Sequence, residues 1–343
     1  MTSGRADSGQ RYLRVGACLS LSGKYARFGT QAARGLEAWQ SLDGAAELIV
    51  EDDKSDPGTL ETVLRRVAPQ CDVLLGPYST QLMRTAGRVS AEGRWLLWNH
   101  GGSGDDVEAA YPGHIVSVLT PTSQYAEPFL WKLISGQSGA RLWVIHGKGS
   151  FGKQVVAGAE ASARRLGIEA IRIDPGGELP SVDRSSRWDL FSAGSFEEDV
   201  EMVRHARDLP NPPRLICAVA AGVREFGEAV ADVDGIFGVG QWFPGVARKP
   251  DLGPDEVDFL TAYSALSAGV IPDYPAVQAV AGAVLAAHCA RQADSTTREQ
   301  LWQAASALDA QTLFGSFKIN PDGVQVKHEA ALVRWTAEGP VRA

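Results

Sequence analysis

The stretches FGTQAARGLEA, residues 28–38, and FGKQVVAGAEA, residues 151–161, decide the predicted fold of this chain. They are identical at six of eleven aligned positions and lie 123 residues apart, whereas chance at average residue usage would give roughly one identity. Each stretch follows the first strand-like run of its half and opens the first helical pattern. The two halves therefore look like the same supersecondary unit, built twice.

Strand-like runs alternate with helical patterns along the chain. The predicted strands are YLRVGACLSL, ELIVED, DVLLGP, WLLWN and HIVSVL in the first half, and RLWVIH, EAIRID, DLFSAG, RLICAVA and GIFGVG in the second. Apolar residues recur at helical spacing at positions 60, 63, 64 and 67, and at 277, 280, 281, 284 and 285. Capping boxes at Ser195 with Glu198 and at Thr296 with Glu299 predict two helix starts. The alternation predicts an α/β fold of two doubly wound lobes with parallel sheets.

Length and charge narrow the possible partners. At roughly 150 residues per domain, 343 residues predict two domains. The net charge of -8, from 33 basic and 41 acidic residues, offers no footprint for phosphate backbones, so nucleic acid is not an expected partner. The first eleven residues lack the apolar middle of a secretory signal. The chain is expected to be periplasmic or extracytoplasmic if a signal was removed, and cytoplasmic if it starts natively at Met1.

The sequence gives no clear metal, cofactor or catalytic motif. The four cysteines are too widely spaced for a zinc site and are predicted to be free thiols. The acidic residues Glu51, Asp52, Asp53 and Asp56 fit the end of a strand and the cap of a helix starting at Pro57 better than a metal site. We therefore predict no metal, no cofactor and no catalytic residue.

One alternative comes from the glycine-rich turn of the second half. Gly147, Gly149 and Gly152 have G-x-G-x-x-G spacing, and Asp174 lies where such motifs place the acid that binds a ribose. This pattern would suit an NAD(P)-dependent enzyme. The corresponding turn of the first half, SGKYARFG, has no second glycine for close approach to a pyrophosphate. Because glycine-rich turns are common in α/β sheets, the alternative is the weaker hypothesis.

Several ordered motifs resemble one known family. They include LRVGACLSLSGKYARFGTQAARGLEAW, VEDDKSDPGTLETVLRRV, DVLLGPYSTQLMRTAGRVSAEGRWLLW and the late DYPAVQAVAGAVLAAHCARQA and LFGSFKINPDGVQVKHEAALVRW. The resemblance is to the type I periplasmic substrate-binding proteins, specifically the leucine/isoleucine/valine-binding group. That group serves ABC importers of branched-chain amino acids and amides. The similarity runs from about residue 12 to residue 335.

The resemblance implies two Rossmann-like lobes joined by three hinge crossovers. The crossovers are expected near residues 119–123, 241–250 and 320–327. One lobe would comprise residues 12–120 plus 251–322, and the other 121–250 plus 323–338. In this family a ligand binds in the cleft between the lobes, and hinge closure buries it. The implied protein is non-catalytic, a monomer or weak dimer, and the partner of an ABC transporter permease.

The resemblance also assigns ligand-binding positions. Ser79, beside Tyr78, would offer its hydroxyl and its backbone N–H at a helix N-terminus to a carboxylate oxygen or an amide carbonyl. Gly101 and Ser103 correspond to a second anion-holding loop, which His100 borders. The further candidate ligand-binding residues are Phe28, Trp98, Phe151, Gly222, Gln241 and Trp242.

Two departures from the family pattern bear on function. Gln241 stands where amino-acid-binding members place a carboxylate against the ligand's ammonium, and Phe28 and Phe151 stand where tyrosines are frequent. The expected ligand is a small carboxylate, amide or amino acid, with amides, aliphatic acids and aromatic acids favoured over leucine-like amino acids. The second departure is the missing export signal. It leaves open a cytoplasmic ligand-sensing regulator of the amidase-regulator type.

Overall fold

The computed structural model describes residues 11–136, 139–179, 187–245 and 248–343. Residues 13–117 form β1 (Leu13–Leu19), α1 (Ala26–Asp43), β2 (Ala46–Asp52), α2 (Pro57–Val67), β3 (Val73–Leu75), α3 (Thr80–Gly93), β4 (Leu97–Asn99) and β5 (Ile115–Ser117). Residues 127–240 form α4 (Glu127–Ser135), β6 (Arg141–His146), α5 (Ser150–Arg165), β7 (Ala170–Ile173), β8 (Trp188–Ala193), α6 (Phe196–Arg207), β9 (Ile216–Ala218), α7 (Glu225–Ala229) and β10 (Phe237–Gly240). Residues 256–342 form α8 (Glu256–Leu266), α9 (Tyr274–Ala293), α10 (Arg298–Ala307), β11 (Ala310–Gln311), β12 (Ser316–Phe317), β13 (Ala331–Thr336) and β14 (Gly339–Arg342).

The chain divides into two compact units, each built from separate segments. Unit 1 comprises the described residues of 1–102, 106–119 and 247–328, and unit 2 those of 103–105, 120–246 and 329–343. The last change of unit lies after His328, beyond the expected 320–327, because Gly323 O accepts from Ser117 N at 2.9 Å and so keeps this segment in unit 1. The expected crossing at 241–250 includes residues 246 and 247, which lie outside the described residues.

Unit 1 contains a five-stranded parallel sheet in the order β2-β1-β3-β4-β5. Six of the seven residues of β1 are buried, because helices cover both faces of the sheet. Helices α2 and α3 cover one face, where Leu64 and Met83 join one apolar cluster. Helix α9 packs on α1 and against β3 and β4, and fifteen of its twenty residues are buried. No helix among the described residues is long and apolar enough to cross a membrane.

Unit 2 contains a seven-stranded sheet in the order β14-β13-β10-β9-β8-β6-β7. Strands β6 to β10 are parallel, and β13 and β14 extend the sheet in the antiparallel direction. One apolar core, with Phe129 and Phe191, lies beneath α4 and α5. A second core, with Trp188 and Phe226, lies beneath α6 and α7. All ten predicted strands are present, and the prediction of two doubly wound α/β lobes is confirmed.

Packing explains the shared glycine and glutamine of the repeat. A Cβ at Gly35 in α1 would lie 2.5 Å from Ala276 O, and a Cβ at Gly158 in α5 would lie 2.3 Å from the backbone of Ser123. In both helices, then, the repeated glycine lets another backbone approach closely. The repeated glutamines, Gln31 and Gln154, lie one turn earlier on the same helix faces. Each accepts a backbone hydrogen bond from the segment that packs against its helix.

The structure supports one of the two predicted capping boxes. Ser195 Oγ accepts from Glu198 N, and the Glu198 side chain accepts from Ser195 N, as predicted. The box at Thr296 is wrong: α10 begins after Thr297, which makes no side-chain cap hydrogen bond. The physical reason is local, because Ser295 Oγ accepts from Thr297 N at 3.2 Å and moves the helix start by one residue.

Candidate functional site

In unit 1, four aromatic side chains meet at the carboxyl ends of β1 and β3; we call Tyr25, Phe28, Tyr78 and Tyr274 the aromatic cluster. The Phe28 ring stacks on the Tyr78 ring at 4.2 Å and 12°. Tyr25 lies 6.2 Å from Tyr78, and the Tyr78 and Tyr274 hydroxyls are 3.2 Å apart. The strand order reverses between β1 and β3, which is where open α/β sheets bind ligands. All four side chains remain partly exposed there.

Ser79 follows the cluster and caps α3. Its hydroxyl oxygen accepts from Leu82 N at 3.3 Å, and its backbone has φ of 88°, in the region that favours glycine. The backbone N–H of Ser79 donates to Gly101 O at 3.0 Å. The predicted use of this N–H for a ligand therefore does not fit the structure. The hydroxyl proton of Ser79 is the group that a ligand oxygen would have to reach.

The loop after β4 is held by Asn99 rather than left open for an anion. Asn99 Oδ1 accepts from Gly101 N at 3.2 Å and from Gly102 N at 2.8 Å. Asn99 Nδ2 donates to Gly102 O and to Ser117 Oγ. A Cβ at Gly101 would lie 2.7 Å from Tyr78 Cα, so this glycine allows the loop to pack against Tyr78. The predicted anion-holding N–H of Gly101 is thus already bonded.

Trp98 and His100 lie in the interior of unit 1. Both residues are fully buried, and the Trp98 ring is 6.3 Å from that of Phe317. Burial lowers the pKa of His100 to about 4, partly offset by nearby backbone groups of Gly76 and His100, so its imidazole is neutral at pH 7. Neither side chain belongs to the aromatic cluster. Their contact with a ligand stays a prediction.

In unit 2, Phe151 packs edge-on against Tyr125 at 5.8 Å and 75°. Phe151 is the second residue of α5, as Phe28 is the third of α1, so the repeat places an aromatic in the first turn of both helices. Burial raises the pKa of Tyr125 to about 12, partly offset by hydrogen bonds to Ser103 and Gln241. Ser103 is buried beside it. The sequence prediction missed Tyr125, as it missed Tyr25 and Tyr274 in unit 1.

The side-chain amide of Gln241 is hydrogen-bonded to the backbone of unit 2. Its Oε1 accepts from Thr120 N at 2.9 Å, and its Nε2 donates to Thr120 O at 3.2 Å and to Tyr125 Oη at 2.5 Å. Only 2 % of the residue is exposed. A ligand contact would need some of these bonds to break.

The other two predicted positions near Gln241 differ in burial. Gly222 is partly exposed, and a Cβ there would lie 2.1 Å from Val239 O, so a close backbone approach accounts for this glycine. Trp242 is 3 % exposed. Neither observation identifies a ligand contact, and both assignments stay predictions.

The glycine-rich turn of unit 2 binds a carboxylate of the protein itself. Glu198 accepts from Lys148 N at 3.0 Å and from Ser195 N at 2.8 Å. A Cβ at Gly147 would lie 2.0 Å from Glu198 Oε2, which explains the glycine. Partial burial raises the pKa of Glu198, but the hydrogen bonds from Ser195 and Lys148 outweigh it, and the net shift is downward.

This arrangement argues against the dinucleotide hypothesis. A carboxylate occupies the turn that a pyrophosphate would need. Asp174, the proposed ribose ligand, has 87 % of its side chain exposed and lies 3.6 Å from Arg172.

The acidic residues after β2 support the turn that leads to the aromatic cluster. Asp52 accepts from Leu21 N at 3.0 Å and from Ser22 Oγ at 2.6 Å, and Asp53 accepts from Ser20 Oγ at 2.6 Å. These carboxylates thus hold the β1–α1 turn. Within the described ranges, no three histidine, cysteine, aspartate or glutamate residues are placed to hold a metal ion.

Comparison with known proteins agrees with this architecture. Residues 13–182 match a family model described as periplasmic binding protein. No curated protein matches the chain significantly in sequence. A leucine-binding protein from Thermotoga maritima aligns with a TM-score of 0.80 at 14% identity, over 96% of this chain and 97% of that one.

Two further solved structures were crystallised with ligands. An ABC transporter substrate-binding protein from Desulfitobacterium hafniense, in complex with Leu, aligns with a TM-score of 0.78 at 15% identity, over 97% of this chain and 100% of that one. A solute-binding protein of an ABC transporter from R. palustris, in complex with benzoate, aligns with a TM-score of 0.76 at 19% identity, over 96% and 95%. At these identities the likeness shows the type I periplasmic binding protein fold.

Proposed function

Because residues 13–182 match the family model of periplasmic binding proteins and the fold agrees with it, we propose that the chain is a non-catalytic solute-binding protein of an ABC importer. Its ligand is a small carboxylate, amide or amino acid. Its macromolecular partner is the importer's permease. The closing of two lobes on the ligand, which the family resemblance implies, is part of the same proposal.

The observation that carries the proposal is the aromatic cluster of unit 1. Partly exposed aromatic rings at the switch point of a parallel sheet are costly to leave in water, and they suit an apolar ligand body. Ser79 lies next to Tyr78 in sequence and brings a hydroxyl that a carboxylate or amide oxygen can accept from. Recognition of this kind requires no reacting group in the protein.

The solved relatives favour transport over the other hypotheses. The proteins with leucine and with benzoate are both described as parts of ABC transporters. Their ligands are both small carboxylates, which is the class proposed for this chain. A sensing regulator has no comparable support, and the Glu198 carboxylate in the glycine-rich turn argues against an NAD(P)-dependent enzyme.

Titration calorimetry of the full chain tests the proposal. The panel is L-leucine, L-isoleucine, benzoate, benzamide, acetamide and butyrate, and we expect at least one to bind with a dissociation constant in the micromolar range or below. Phe28→Ala should weaken that binding at least tenfold while leaving the thermal midpoint within a few degrees of wild type.

Trp131→Ala is the matched control, since Trp131 is 56% exposed on α4 and outside the aromatic cluster. It should bind as wild type does. Failure of every ligand to bind would overturn the proposal, whereas equal binding by the Phe28→Ala chain would show that the ligand does not bind at the aromatic cluster.

A further inference from the structure

The aromatic cluster draws its members from three distant segments of unit 1. Tyr25 precedes α1 and Phe28 lies in its first turn, Tyr78 lies in the turn after β3, and Tyr274 is the first residue of α9. The Tyr78 and Tyr274 hydroxyls meet across 196 residues of sequence. Each ring of the aromatic cluster stays partly exposed, so packing of the unit 1 core alone does not account for the cluster. We call the surface formed by these four rings the wall.

The Phe28 and Tyr78 rings stack face to face, with 12° between the ring planes. A flat aromatic ligand can meet the edges of this pair or extend the stack at an outer face, and ring–ring contact adds up to about a tenfold gain in affinity over an aliphatic group of equal area. A branched aliphatic side chain cannot gain affinity from ring–ring contact. The shape of the wall therefore distinguishes ligand rings from ligand alkyl groups.

Two cations adjoin the wall. Lys24 Nζ lies 5.4 Å from the centre of the Tyr25 ring, and the Arg27 guanidinium carbon lies 6.0 Å from the centre of the Phe28 ring. Asp273 lies next to Tyr274, and Asp52 and Asp53 are hydrogen-bonded to residues 20–22 of the β1–α1 turn. The two cations beside the rings, rather than the net charge of the neighbourhood, favour a ligand with a negatively charged group.

We propose that the aromatic cluster binds the ring of an aromatic carboxylate, with Lys24 and Arg27 attracting its charge. This inference rests on the proposed solute-binding function and specifies the ligand class of the same site. Phe28 and Tyr78 form the ring contact, and Tyr274 positions Tyr78 through the hydroxyl pair. The ligand class is thus set by three features together: a ring, its planarity and its negative charge.

Calorimetry with matched probes tests the inference. Benzoate is compared with cyclohexanecarboxylate, which keeps the carboxylate without the ring, with benzamide, which keeps the ring without the charge, and with benzylamine, which reverses the charge. L-Leucine is the amino-acid reference. We expect benzoate to bind at least tenfold more tightly than each of the other four.

Two variants separate the ring and charge contributions. Phe28→Leu keeps apolar bulk and removes the ring, so it should weaken benzoate about tenfold and leave cyclohexanecarboxylate unchanged. Lys24→Gln should weaken benzoate severalfold and leave benzamide unchanged. Trp131→Leu, outside the aromatic cluster, should change neither ligand.

The outcomes distinguish this inference from the function on which it rests. If L-leucine, cyclohexanecarboxylate or benzamide binds as tightly as benzoate, the ligand class is wrong and the solute-binding function stands. Tighter binding of benzylamine would overturn the assigned charge. Unchanged benzoate binding by the Phe28→Leu chain would show that the Phe28 ring does not contact the ligand. If none of the probes and none of the panel above binds, both proposals fail.

Discussion

Gln154 Oε1 accepts a hydrogen bond from the backbone N–H of Asp105 at 3.1 Å, and its repeat counterpart Gln31 accepts one from Asp273 N at 3.0 Å. In each copy the glycine one turn later contacts the backbone of the same neighbouring region, at Ser123 or at Ala276. The glutamine and the second glycine shared by the two stretches therefore dock another segment onto the first helix of each unit.

Replacing Gly158 tests this docking. Gly158→Ala would place a Cβ 2.3 Å from the backbone of Ser123. Overpacking against backbone typically costs ~1–3 kcal/mol, which outweighs the ~1 kcal/mol that alanine gains in a helix. We expect urea unfolding to show a loss of about 1–2 kcal/mol. Gly149→Ser is the control, because no atom lies within 4 Å of a Cβ there, and it should unfold as wild type does.

Removing the Glu198 charge tests the occupied glycine-rich turn. Glu198→Gln leaves one amide group facing the N–H donors of Lys148 and Ser195, so we expect a loss of about 2 kcal/mol in unfolding free energy at pH 7. Glu201→Gln, an exposed change on the same helix, should stay within ~0.5 kcal/mol of wild type. A rise in the melting temperature of wild type with NAD(H) or NADP(H) would contradict our account of this turn.

Substitution of Gln241 tests whether this residue stabilises the fold or contacts a ligand. Gln241→Ala removes three buried hydrogen bonds, two to the backbone of Thr120 and one to Tyr125 Oη, and each contributes ~1 kcal/mol. We expect denaturation to show a loss of about 3 kcal/mol, whereas Tyr125→Phe, which removes one hydroxyl, should lose about 1 kcal/mol. A Gln241→Ala chain with wild-type stability and no ligand binding would instead support the role that the family resemblance gives this position.

Asp199 makes stability depend on pH. Burial raises its pKa to about 6, despite hydrogen bonds from Ser192 Oγ and from the backbone N–H groups of Ala220 and Gly194. The folded pKa exceeds the unfolded value near 4, so this stabilising contribution is complete below pH 4 and is lost as the pH rises to about 6. The loss is roughly 3 kcal/mol.

Urea unfolding between pH 4 and pH 7 measures this contribution as the difference between wild type and Asp199→Asn. The Asn variant should lack the Asp199 component of the slope, so that between pH 4 and pH 7 its stability relative to wild type should shift by roughly 3 kcal/mol in favour of the variant. Asp174→Asn, an exposed carboxylate in the same unit, should keep the wild-type slope. A wild-type slope in the Asp199→Asn chain would show that this carboxyl does not titrate as described.

The fold was accessible from sequence because it depends on local periodicity. Strands buried on both faces appear as continuous apolar runs, and helices such as α2 place Leu60, Val63, Leu64 and Val67 on one buried face. The predicted helix start at Thr296 was wrong because two adjacent threonines compete for the N-cap position. Which of them occupies it depends on the hydrogen bond of Ser295 Oγ.

The candidate site was only partly accessible. Phe28 could be named because it opens the repeated stretch, and Tyr78 because it precedes Ser79 in the motif that resembles the family. Tyr274 could not be predicted as a site residue, because the surrounding sequence indicates only a helix start and its partner Tyr78 lies 196 residues away. The roles predicted for the Gly101 backbone and for Gln241 conflict with hydrogen bonds to Asn99 and Thr120, which no spacing rule reveals.

Unit 1 closes late during synthesis. Gln31 and its partner Asp273 are 242 residues apart, so α1 and the first strands emerge from the ribosome long before α9 can cover them. Until then the Gly35 face of α1 and one side of the sheet stay uncovered, with apolar surface open to other chains. Nascent chains that stall before α9 should therefore recruit chaperones through this face, and variants that weaken the α1–α9 contact should prolong that exposure.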